Sequence, residues 1–426
     1  MTTPTATAPA ETAATALSWP HRLARYLILK VLENLRHGHL LIHEGNSTIS
    51  VGDADMPPVE IRVLDTGFYL RLLLGGSVGA GESYADGDWE TQDLTGLIRI
   101  MVTNQQVLDG LDHAVVRSLK QGLEKIMHWR NANTRSGSRK NIAAHYDLSN
   151  DFFRTWLDSR MMYSSAIFET PDSDLESASE AKLRTLCELL DLQAGEHLLE
   201  IGTGWGGLAI YAAERYDVSV TTTTISQEQY SEAANRIETH GLSDRIQVLL
   251  QDYRDLEGRF DKIVSVEMVE AVGDEFVDGY FQKVESLLKP SGRFVMQAIT
   301  IVDQRYESAL REVDFIKKHI FPGSFIPSVT RLCGAAATTP SLRLVHLRDI
   351  GLDYARTLRC WSERFAHAGD ALASQGFDRR FQRLWQFYFS YCEGGFLERA
   401  ISDVHLAFDT FPPPLRNRAV DKAEAI

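Results

Sequence analysis

A glycine-rich turn is the part of the sequence whose residue types and spacing most clearly predict chemistry. It reads EIGTGWGG from Glu200 to Gly207 and overlaps the end of HLLEIG at 197–202, an apolar segment that predicts a strand. Glycines let the backbone approach a ligand closely, and the start of the helix that we expect next favours negative charge. The turn therefore predicts a cofactor site, although its GxGxxG spacing alone is weak evidence.

Two neighbouring features indicate which cofactor this turn binds. A dinucleotide site requires an Asp or Glu about 20 residues further on to hold the ribose, whereas the next predicted strand ends in the run Thr221 to Thr224. Glu200 precedes the first glycine and suits the amino-acid end of S-adenosylmethionine. We therefore expect S-adenosylmethionine, with a nicotinamide or flavin cofactor and a turn without ligand as the alternatives.

The segments around the turn alternate between strand and helix patterns. Short apolar segments at this spacing predict strands at 197–202, 218–223, 246–250, 262–266 and 293–299. Such alternation is typical of an α/β fold with a doubly wound parallel sheet, and VHLAF at 404–408 is a candidate for a last strand. The mostly helical, aromatic-rich segments 301–335 and 355–398 are expected to form an inserted lid.

Composition and charge exclude several classes of protein. Hydrophobic residues make up 44% and charged residues 24% of the 426 residues, which excludes a mostly disordered or fibrous chain. The net charge of −14 argues against nucleic acid as the main partner. The cysteines lie far apart without a CxxC pair, so we expect neither a disulfide scaffold nor a metal site.

The location of the protein is also predicted from composition. No apolar run approaches the roughly 18 residues that a membrane span needs. Residues 1–18 are rich in Thr and Ala and contain no Lys or Arg, which is typical of a disordered tail and not of a secretory signal. We therefore expect a cytoplasmic protein in a reducing compartment.

Two basic segments flank a small N-terminal domain. Residues 19–38 have apolar side chains at helical spacing, and the charge between 22 and 36 is +3, from four basic residues and Glu33; residues 112–140 carry +5. Two interpretations explain both segments: they are helices that pack on their own domain or face water, or they are helices that contact an anionic bilayer. We prefer contact with the bilayer and expect peripheral association with the inner face of the membrane. Residues 40–75 between them predict small strands and turns.

Several sequence blocks occur together in one order, which is specific for one family of enzymes. They are GESYADGDWE (81–90), AAHYDLSNDFF (143–153), MYSSAIFE (162–169), the glycine-rich turn, TISQEQ (224–229), EMVEAVG (267–273), YARTLRCW (354–361) and FYFSYCEGGF (387–396). With these blocks the chain resembles the cyclopropane fatty acid synthase family of S-adenosylmethionine-dependent methyltransferases over nearly its whole length.

This resemblance implies a division of the chain into domains. We expect a class I methyltransferase domain with a helical, acyl-binding lid at 143–415 and a smaller N-terminal α+β domain that faces lipid or membrane at 19–130. A linker at 131–142 and tails at 1–18 and 416–426 complete the chain. Whether the protein is a monomer or a homodimer is left open.

The resemblance also implies cofactor-binding residues. Gly202 and Gly204 shape the bed of the cofactor, and Tyr163 and Ser164 close over it. Core packing is the alternative for Tyr163. Further residues are assigned to the ribose end, namely Thr224, Ile225 and Gln229, and Asp252 is placed near the adenine. Helix capping is the alternative for Thr224 and Gln229.

The implied reaction transfers a methyl group to the double bond of an unsaturated phospholipid acyl chain. The resulting carbocation needs nearby negative or π-electron density and a base that removes a proton. In the family a bound bicarbonate ion is that base, and ring closure gives a cyclopropane.

The residues of this bicarbonate cradle can be assigned by resemblance. They are Glu270 and Tyr354, with the backbone near Ser165 and Ile299. Glu267 competes with Glu270 for the role. A helix-capping carboxylate is the alternative for Glu270, and ordinary packing is the alternative for Tyr354 and for Cys392, which matches a family cysteine.

Two departures from the family pattern affect the deprotonation step. Ser165 stands where many bacterial members have Cys, and Gln297 stands where His is common. Gln297 can donate a hydrogen bond but does not titrate near neutral pH. An open-chain methyl- or methylene-branched product, N-methylation of a small amine, and a lipid-binding protein without turnover are the alternatives to cyclopropane formation.

Overall fold

The computed structural model describes residues 18–108 and 148–411 of the chain. The predicted linker at 131–142, the basic segment at 112–140 and the C-terminal tail lie outside the described residues, as does the N-terminal tail except Ser18. The domain boundaries that fall there remain predictions.

The N-terminal part is a small α+β unit. Its four-stranded sheet has the order β2-β1-β3-β4, formed by β1 (His39–Glu44), β2 (Ser47–Gly52), β3 (Pro58–Val63) and β4 (Trp89–Glu90). Four helices accompany this sheet: α1 (Trp19–Leu32), α2 (Gly67–Asp86), α3 (Leu94–Thr103) and α4 (Gln105–Leu108). The described structure therefore agrees with the expected N-terminal α+β domain over residues 19–108.

One prediction in this unit is wrong. Strands and turns were expected throughout 40–75, but strand β3 ends at Val63 and residues 67–86 form helix α2. Glycines are unfavourable inside helices, so the GGSVGAG run obscures the helical pattern. The helix is broken at Gly76, whose φ of 54° and ψ of −130° are not helical.

The larger sheet has seven strands in the order β10-β11-β9-β8-β5-β6-β7. The strands are β5 (His197–Ile201), β6 (Ser219–Thr224), β7 (Ile246–Leu250), β8 (Phe260–Val266), β9 (Leu288–Ile301), β10 (Leu342–Asp349) and β11 (Ile401–Thr410). Strands β5 to β9 pair in parallel, which confirms the doubly wound α/β fold.

The C-terminal edge of this sheet corrects the expectation of a purely parallel sheet. Strand β11 contains the predicted VHLAF segment and pairs antiparallel with β9 and with β10. Strand β10 was not predicted because it is an edge strand whose residues are mostly exposed, so its sequence lacks a buried apolar run.

Helices cover the sheet and build the lid. They are α5 (Asn150–Arg154), α6 (Leu175–Leu190), α7 (Gly207–Tyr216), α8 (Gln227–Thr239), α9 (Val277–Leu287), α10 (Asp303–Arg311), α11 (Phe315–His319), α12 (Val329–Ala337), α13 (Gly351–His367), α14 (Gly369–Ser374) and α15 (Arg379–Leu397). The buried aromatic face of α15 packs against α13 on one side and against α2 and α3 on the other. The lid and the N-terminal unit therefore share one hydrophobic core.

No helix within the described ranges combines the length and the apolar character that crossing a membrane requires.

Candidate active site

A cavity of approximately 1370 Å³ connects the glycine-rich turn with the N-terminal unit. Residues 202–205 of the turn line one end. Apolar side chains from α1, α2 and α3 line the other end, among them Ile28, Leu72, Leu73 and Ile98. The cavity therefore joins a polar end at the sheet to an apolar end that is large enough for hydrocarbon.

Every residue that the sequence analysis assigns to the cofactor lines this cavity. These residues are Tyr163, Ser164, Glu200, Gly202, Gly204, Thr224, Ile225, Gln229 and Asp252. The structure therefore brings these residues together, and their cofactor-binding roles remain predictions.

The glycine-rich turn has the backbone conformation that the sequence predicts. Gly202 has φ +101°, in the region that favours glycine, and a Cβ atom there would lie 3.2 Å from the side chain of Met268. The amides of Gly202 and Thr203 both donate to the carbonyl oxygen of Thr223, so the turn is tied to the end of β6. This leaves a narrow bed between β5 and the start of α7.

Glu200 lies at the end of β5 and is almost fully buried. Its Oε2 accepts a hydrogen bond of 2.6 Å from the Thr222 hydroxyl. Burial raises the pKa of Glu200 to about 8, although Lys182 and the Thr222 hydrogen bond lower it. A buried acid of this kind gains from a cationic partner, and the ammonium group of S-adenosylmethionine remains the predicted one.

The residues after β6 act both as a cavity wall and as a helix cap. The Thr224 hydroxyl donates to Gln229 Oε1 at 2.8 Å, and Ser226 Oγ accepts the Gln229 amide at 3.3 Å. Ser226 is therefore the N-cap of α8. Thr224 and Gln229 therefore take part in the hydrogen bonds at the start of α8, as the capping alternative expects, and they also line the cavity.

The Asp252 carboxylate lies on the cavity wall in a two-point ion pair with Arg254. Its oxygens accept from Arg254 Nε at 2.9 Å and from Arg254 Nη2 at 2.6 Å. Asp252 is 5% exposed, so the pair holds this carboxylate in a fixed orientation.

Tyr163 and Ser164 form the wall opposite the turn. Tyr163 shares a hydrogen bond of 3.1 Å with the Tyr388 hydroxyl and packs among aromatic rings of α5 and the lid. Ser164 Oγ accepts a hydrogen bond of 2.8 Å from Lys182 Nζ. Tyr163 therefore both packs in the aromatic core and lines the cavity.

Lys182 is a site residue that the sequence reasoning missed. It is fully buried on α6, and burial lowers its pKa to about 8 against the opposing influence of Glu267, Asp158, Asp403 and Glu200. The sequence does contain a hint of this role. Lys182 lies four residues after Ala178 and four before Leu186, so all three share the buried face of the helix. A lysine on such a face needs a charged partner.

Glu267 is the centre of the hydrogen-bond network. Its Oε1 accepts from the Ser165 amide at 2.8 Å and from Gln297 Nε2 at 2.8 Å, and its Oε2 accepts from the Tyr354 hydroxyl at 2.8 Å. Two of these donors, the Ser165 amide and the Tyr354 hydroxyl, are groups that the resemblance assigns to a bicarbonate ion, and Gln297 stands where His is common in the family. In this structure they hold a carboxylate of the chain itself.

Glu270 occupies a poorer environment on the same cavity wall. Its Oε1 accepts the Ile299 amide at 2.6 Å, and its buried Oε2 has no hydrogen-bond partner among the described residues. Burial and the neighbouring Glu267 raise the pKa of Glu270 to about 8. Tyr354 therefore donates to Glu267 and not to Glu270, and the grouping of Glu270 with Tyr354 around one ion remains a prediction.

Strand β11 supplies two further residues that the sequence reasoning missed. Gln297 Nε2 donates to Asp403 Oδ2 at 2.8 Å, and His405 Nε2 lies 3.0 Å from Gln297 Oε1. Burial lowers the pKa of His405 to about 3, so the neutral ring donates this hydrogen bond. His405 is the cross-strand partner of Gln297, a relationship that only the antiparallel pairing of β9 and β11 creates.

Asp403 and Glu267 are neighbouring buried acids. Burial, together with the charges of Glu267 and Glu270, raises the pKa of Asp403 well above its usual range. Burial also raises the pKa of Glu267, against the opposing influence of the Ser165 amide, the Tyr354 hydroxyl and Lys182. A proton on Asp403 therefore favours the ionised form of Glu267.

The remaining predicted catalytic residues take different positions. Ile299 and Cys392 line the cavity, whereas Ser165 and Gln297 lie behind Glu267. Burial raises the pKa of the Cys392 thiol, so this cysteine is a neutral wall residue. Aromatic lid residues that line the cavity are Phe321, Phe325, Phe387 and Tyr388.

The chain is similar in sequence to known lipid-modifying enzymes. A family model described as mycolic acid cyclopropane synthetase matches residues 133–406. The chain is 41% identical over 346 residues to the cyclopropane-fatty-acyl-phospholipid synthase of Escherichia coli K12, covering 81% of this chain and 86% of the relative. It is 36% identical over 374 residues to a tuberculostearic acid methyltransferase of Mycobacterium tuberculosis, covering 84% of each.

A solved structure shares the fold of the larger domain. It is a mycolic acid cyclopropane synthase in complex with SAH and CTAB, with a TM-score of 0.60 and 30% identity, and the match covers 64% of this chain and 98% of that one.

Proposed function

Because the chain belongs to the mycolic acid cyclopropane synthetase family and is an S-adenosylmethionine-dependent methyltransferase, we propose that it adds a one-carbon unit from S-adenosylmethionine to the double bond of an unsaturated phospholipid acyl chain, forming a cyclopropane. The single observation that carries this proposal is the continuous cavity between the glycine-rich turn and the apolar N-terminal helices.

The shape of the cavity supports an alkene as the acceptor. S-adenosylmethionine supplies its methyl group as an electrophile. An alkene is a weak nucleophile, so the two must be held together in a site from which water is excluded. The lining residues that α1, α2 and α3 contribute are mostly apolar and include no carboxylate, which suits a hydrocarbon tail, while Glu312 and Asp314 from the segment before α11 line the same cavity.

The reaction can be written with its charges balanced. The π electrons of the double bond form a carbon–carbon bond to the methyl group while the carbon–sulfur electrons stay on sulfur. The positive charge passes to an acyl carbon. A base then takes a proton from the added methyl group, and the electrons of that carbon–hydrogen bond close the ring.

The residues around the reacting carbons fit a cationic intermediate. Glu267, Glu270 and the ring of Tyr354 line the same stretch of the cavity, and negative and π-electron density stabilise a nearby cation. The proposal does not use the bicarbonate base that the resemblance implies, because the Ser165 amide and the Tyr354 hydroxyl of its cradle donate to Glu267 and the Ile299 amide donates to Glu270.

Helix α1 supports access from a membrane. Its inner side chains Ile28 and Val31 line the cavity, while Trp19 and Tyr26 on its outer side are 74% and 56% exposed. Lys30 is also exposed on this helix. An exposed apolar and basic surface of this kind binds anionic bilayers, so we propose that α1 rests on the membrane that supplies the phospholipid.

The experiment that tests the function uses the purified protein, S-adenosylmethionine and phospholipid vesicles with monounsaturated chains. We expect S-adenosylhomocysteine and a lipid heavier by one CH₂ group, with cyclopropane protons in its NMR spectrum. Vesicles with saturated chains are the control. Formation of S-adenosylhomocysteine only with small amines would reject the lipid substrate.

A branched-chain product is the second candidate. It is favoured by the 36% identity to a tuberculostearic acid methyltransferase and by Gln297, which does not titrate where many members of the family carry His. The same assay separates the two candidates, since an open-chain methyl or methylene product lacks the cyclopropane protons.

A further inference from the structure

We propose that the carboxylate of Glu267 replaces the external bicarbonate ion and is itself the base that removes the proton from the methylated acyl chain. The proposal rests on the proposed methyl transfer and identifies its base. The Ser165 amide, the Gln297 side-chain amide and the Tyr354 hydroxyl all point their hydrogens at the two oxygens of Glu267, each at 2.8 Å. An anion site with these donors is already filled by the chain.

The backbone conformation of Glu267 is unusual and supports a functional role for its side chain. Its φ is +46°, a left-handed conformation that glycine adopts freely and that is unfavourable for other residues. The Glu267 amide donates to the Gln297 carbonyl at 2.8 Å, which fixes this bend at the end of β8. A strained residue at a cavity wall is typical of functional sites.

Burial raises the pKa of Glu267, and the surrounding groups oppose this rise. The Ser165 amide and the Tyr354 hydroxyl oppose it by hydrogen bonds, and Lys182 opposes it by its charge from the interior of the domain. Glu270 has weaker support: backbone amides, that of Ile299 among them, donate to it, and burial with the charge of Glu267 raises its pKa to about 8. Of the two acids, Glu267 is therefore the one whose carboxylate form is supported by three donated hydrogen bonds.

The step requires no further reactant. A carbon–hydrogen bond of the added methyl group breaks, its proton moves to a Glu267 oxygen, and its electrons form the last bond of the ring. Glu267 then loses the proton to water after the products leave.

The central experiment compares Glu267→Gly with the unchanged protein in buffer freed of carbon dioxide. Glycine accepts the positive φ, so this variant keeps the local backbone. We expect the unchanged protein to keep its turnover without bicarbonate, within about twofold. Loss of a general base costs about 10²- to 10⁴-fold, and we expect Glu267→Gly to lose that factor and to regain at least about tenfold when bicarbonate at about 10 mM refills the vacated site.

Two control variants separate this role from general damage. Ser291→Gly also introduces glycine at a positive φ, which is +64° at this exposed position, and this variant is expected to behave like the unchanged protein. Glu270→Gln alters the neighbouring acid and is not expected to create a response to bicarbonate.

A second readout does not depend on turnover. Bicarbonate or formate is expected to raise the melting temperature of Glu267→Gly, since a ligand that binds only the folded state stabilises it, and to leave that of Ser291→Gly unchanged. If no variant methylates any lipid, the proposed function fails while this binding experiment still tests the anion site. Bicarbonate-dependent turnover of the unchanged protein, or a Glu267→Gly variant that neither loses turnover nor binds either anion, would overturn the proposal.

Discussion

The hydroxyl of Tyr354 donates to Glu267 Oε2 at 2.8 Å, and the Tyr354 ring stacks on Phe396 with ring centres 4.5 Å apart. The tyrosine therefore has two separable roles. Its ring belongs to the core between α13 and α15, and its oxygen belongs to the carboxylate at the end of β8.

Tyr354→Phe separates these two roles. The ring contact with Phe396 is kept, so the melting temperature is expected to change little. One hydrogen bond to a carboxylate is lost, which corresponds to about 1.5–3 kcal/mol, or about 10- to 100-fold in turnover. Steady-state kinetics with unsaturated vesicles measures this loss. Tyr216→Phe, which does not line the cavity, is the control, and an equal loss in both variants would contradict the assignment.

The pKa of Glu200 predicts how pH affects cofactor binding. Because burial raises this pKa to about 8, Glu200 is mostly protonated at pH 7 in the free protein. Pairing with the ammonium group of S-adenosylmethionine requires the ionised form, so binding releases a proton. The affinity is therefore expected to increase as the pH rises from about 6 to about 7.5, by at most about tenfold per unit.

Isothermal titration calorimetry in two buffers of different ionisation enthalpy measures this proton release. Glu200→Gln cannot ionise, so its binding is expected to be weaker and almost independent of pH over the same range. A wild-type affinity that falls with rising pH would show that Glu200 does not meet the ammonium group.

The same acid also predicts the pH dependence of folding stability. A carboxyl group whose pKa is raised on folding binds more protons in the folded state, so its contribution is present below its unfolded pKa of 4.5 and is lost as pH rises through about 8. Urea denaturation between these pH values is expected to show a smaller decrease in Glu200→Gln than in the unchanged protein.

Local patterns predicted the fold, and they selected residues that the structure brings together along one cavity. Glu200, Gly202 and Gly204 could be identified because the turn and its strand are adjacent in sequence. Lys182, Asp403 and His405 could not, since their roles depend on pairs of residues separated by 18 to 108 positions. The antiparallel register of β9 and β11 brings His405 opposite Gln297, and no periodicity within either strand contains that information.

Lys182→Met tests the buried cation. Removing one partner from a buried charge cluster typically costs about 3–5 kcal/mol of folding free energy. It also removes the charge that lowers the pKa of Glu267, so the acidic limb of the pH–rate profile is expected to move to higher pH. Chemical denaturation and kinetics across the pH range measure both effects. Lys283→Met, a partly exposed position on α9, is the control, and an unshifted pH profile in Lys182→Met would contradict the coupling.

If the outer face of α1 contacts the membrane, changes on this face should weaken vesicle binding. Replacing Trp19 and Tyr26 by Ala removes exposed aromatic surface that we place in the bilayer, and burying such a side chain is worth about 1.5–3 kcal/mol. The double variant is therefore expected to bind anionic vesicles at least about tenfold more weakly in sedimentation, with its turnover on detergent-dispersed lipid kept. Val345→Ala with Leu347→Ala changes exposed apolar residues of β10 and is the matched control. Because Lys30 and its basic neighbours contribute by charge, binding of the unchanged protein is expected to weaken as salt increases; binding that is indifferent to salt and to both double variants would exclude α1 as the membrane contact.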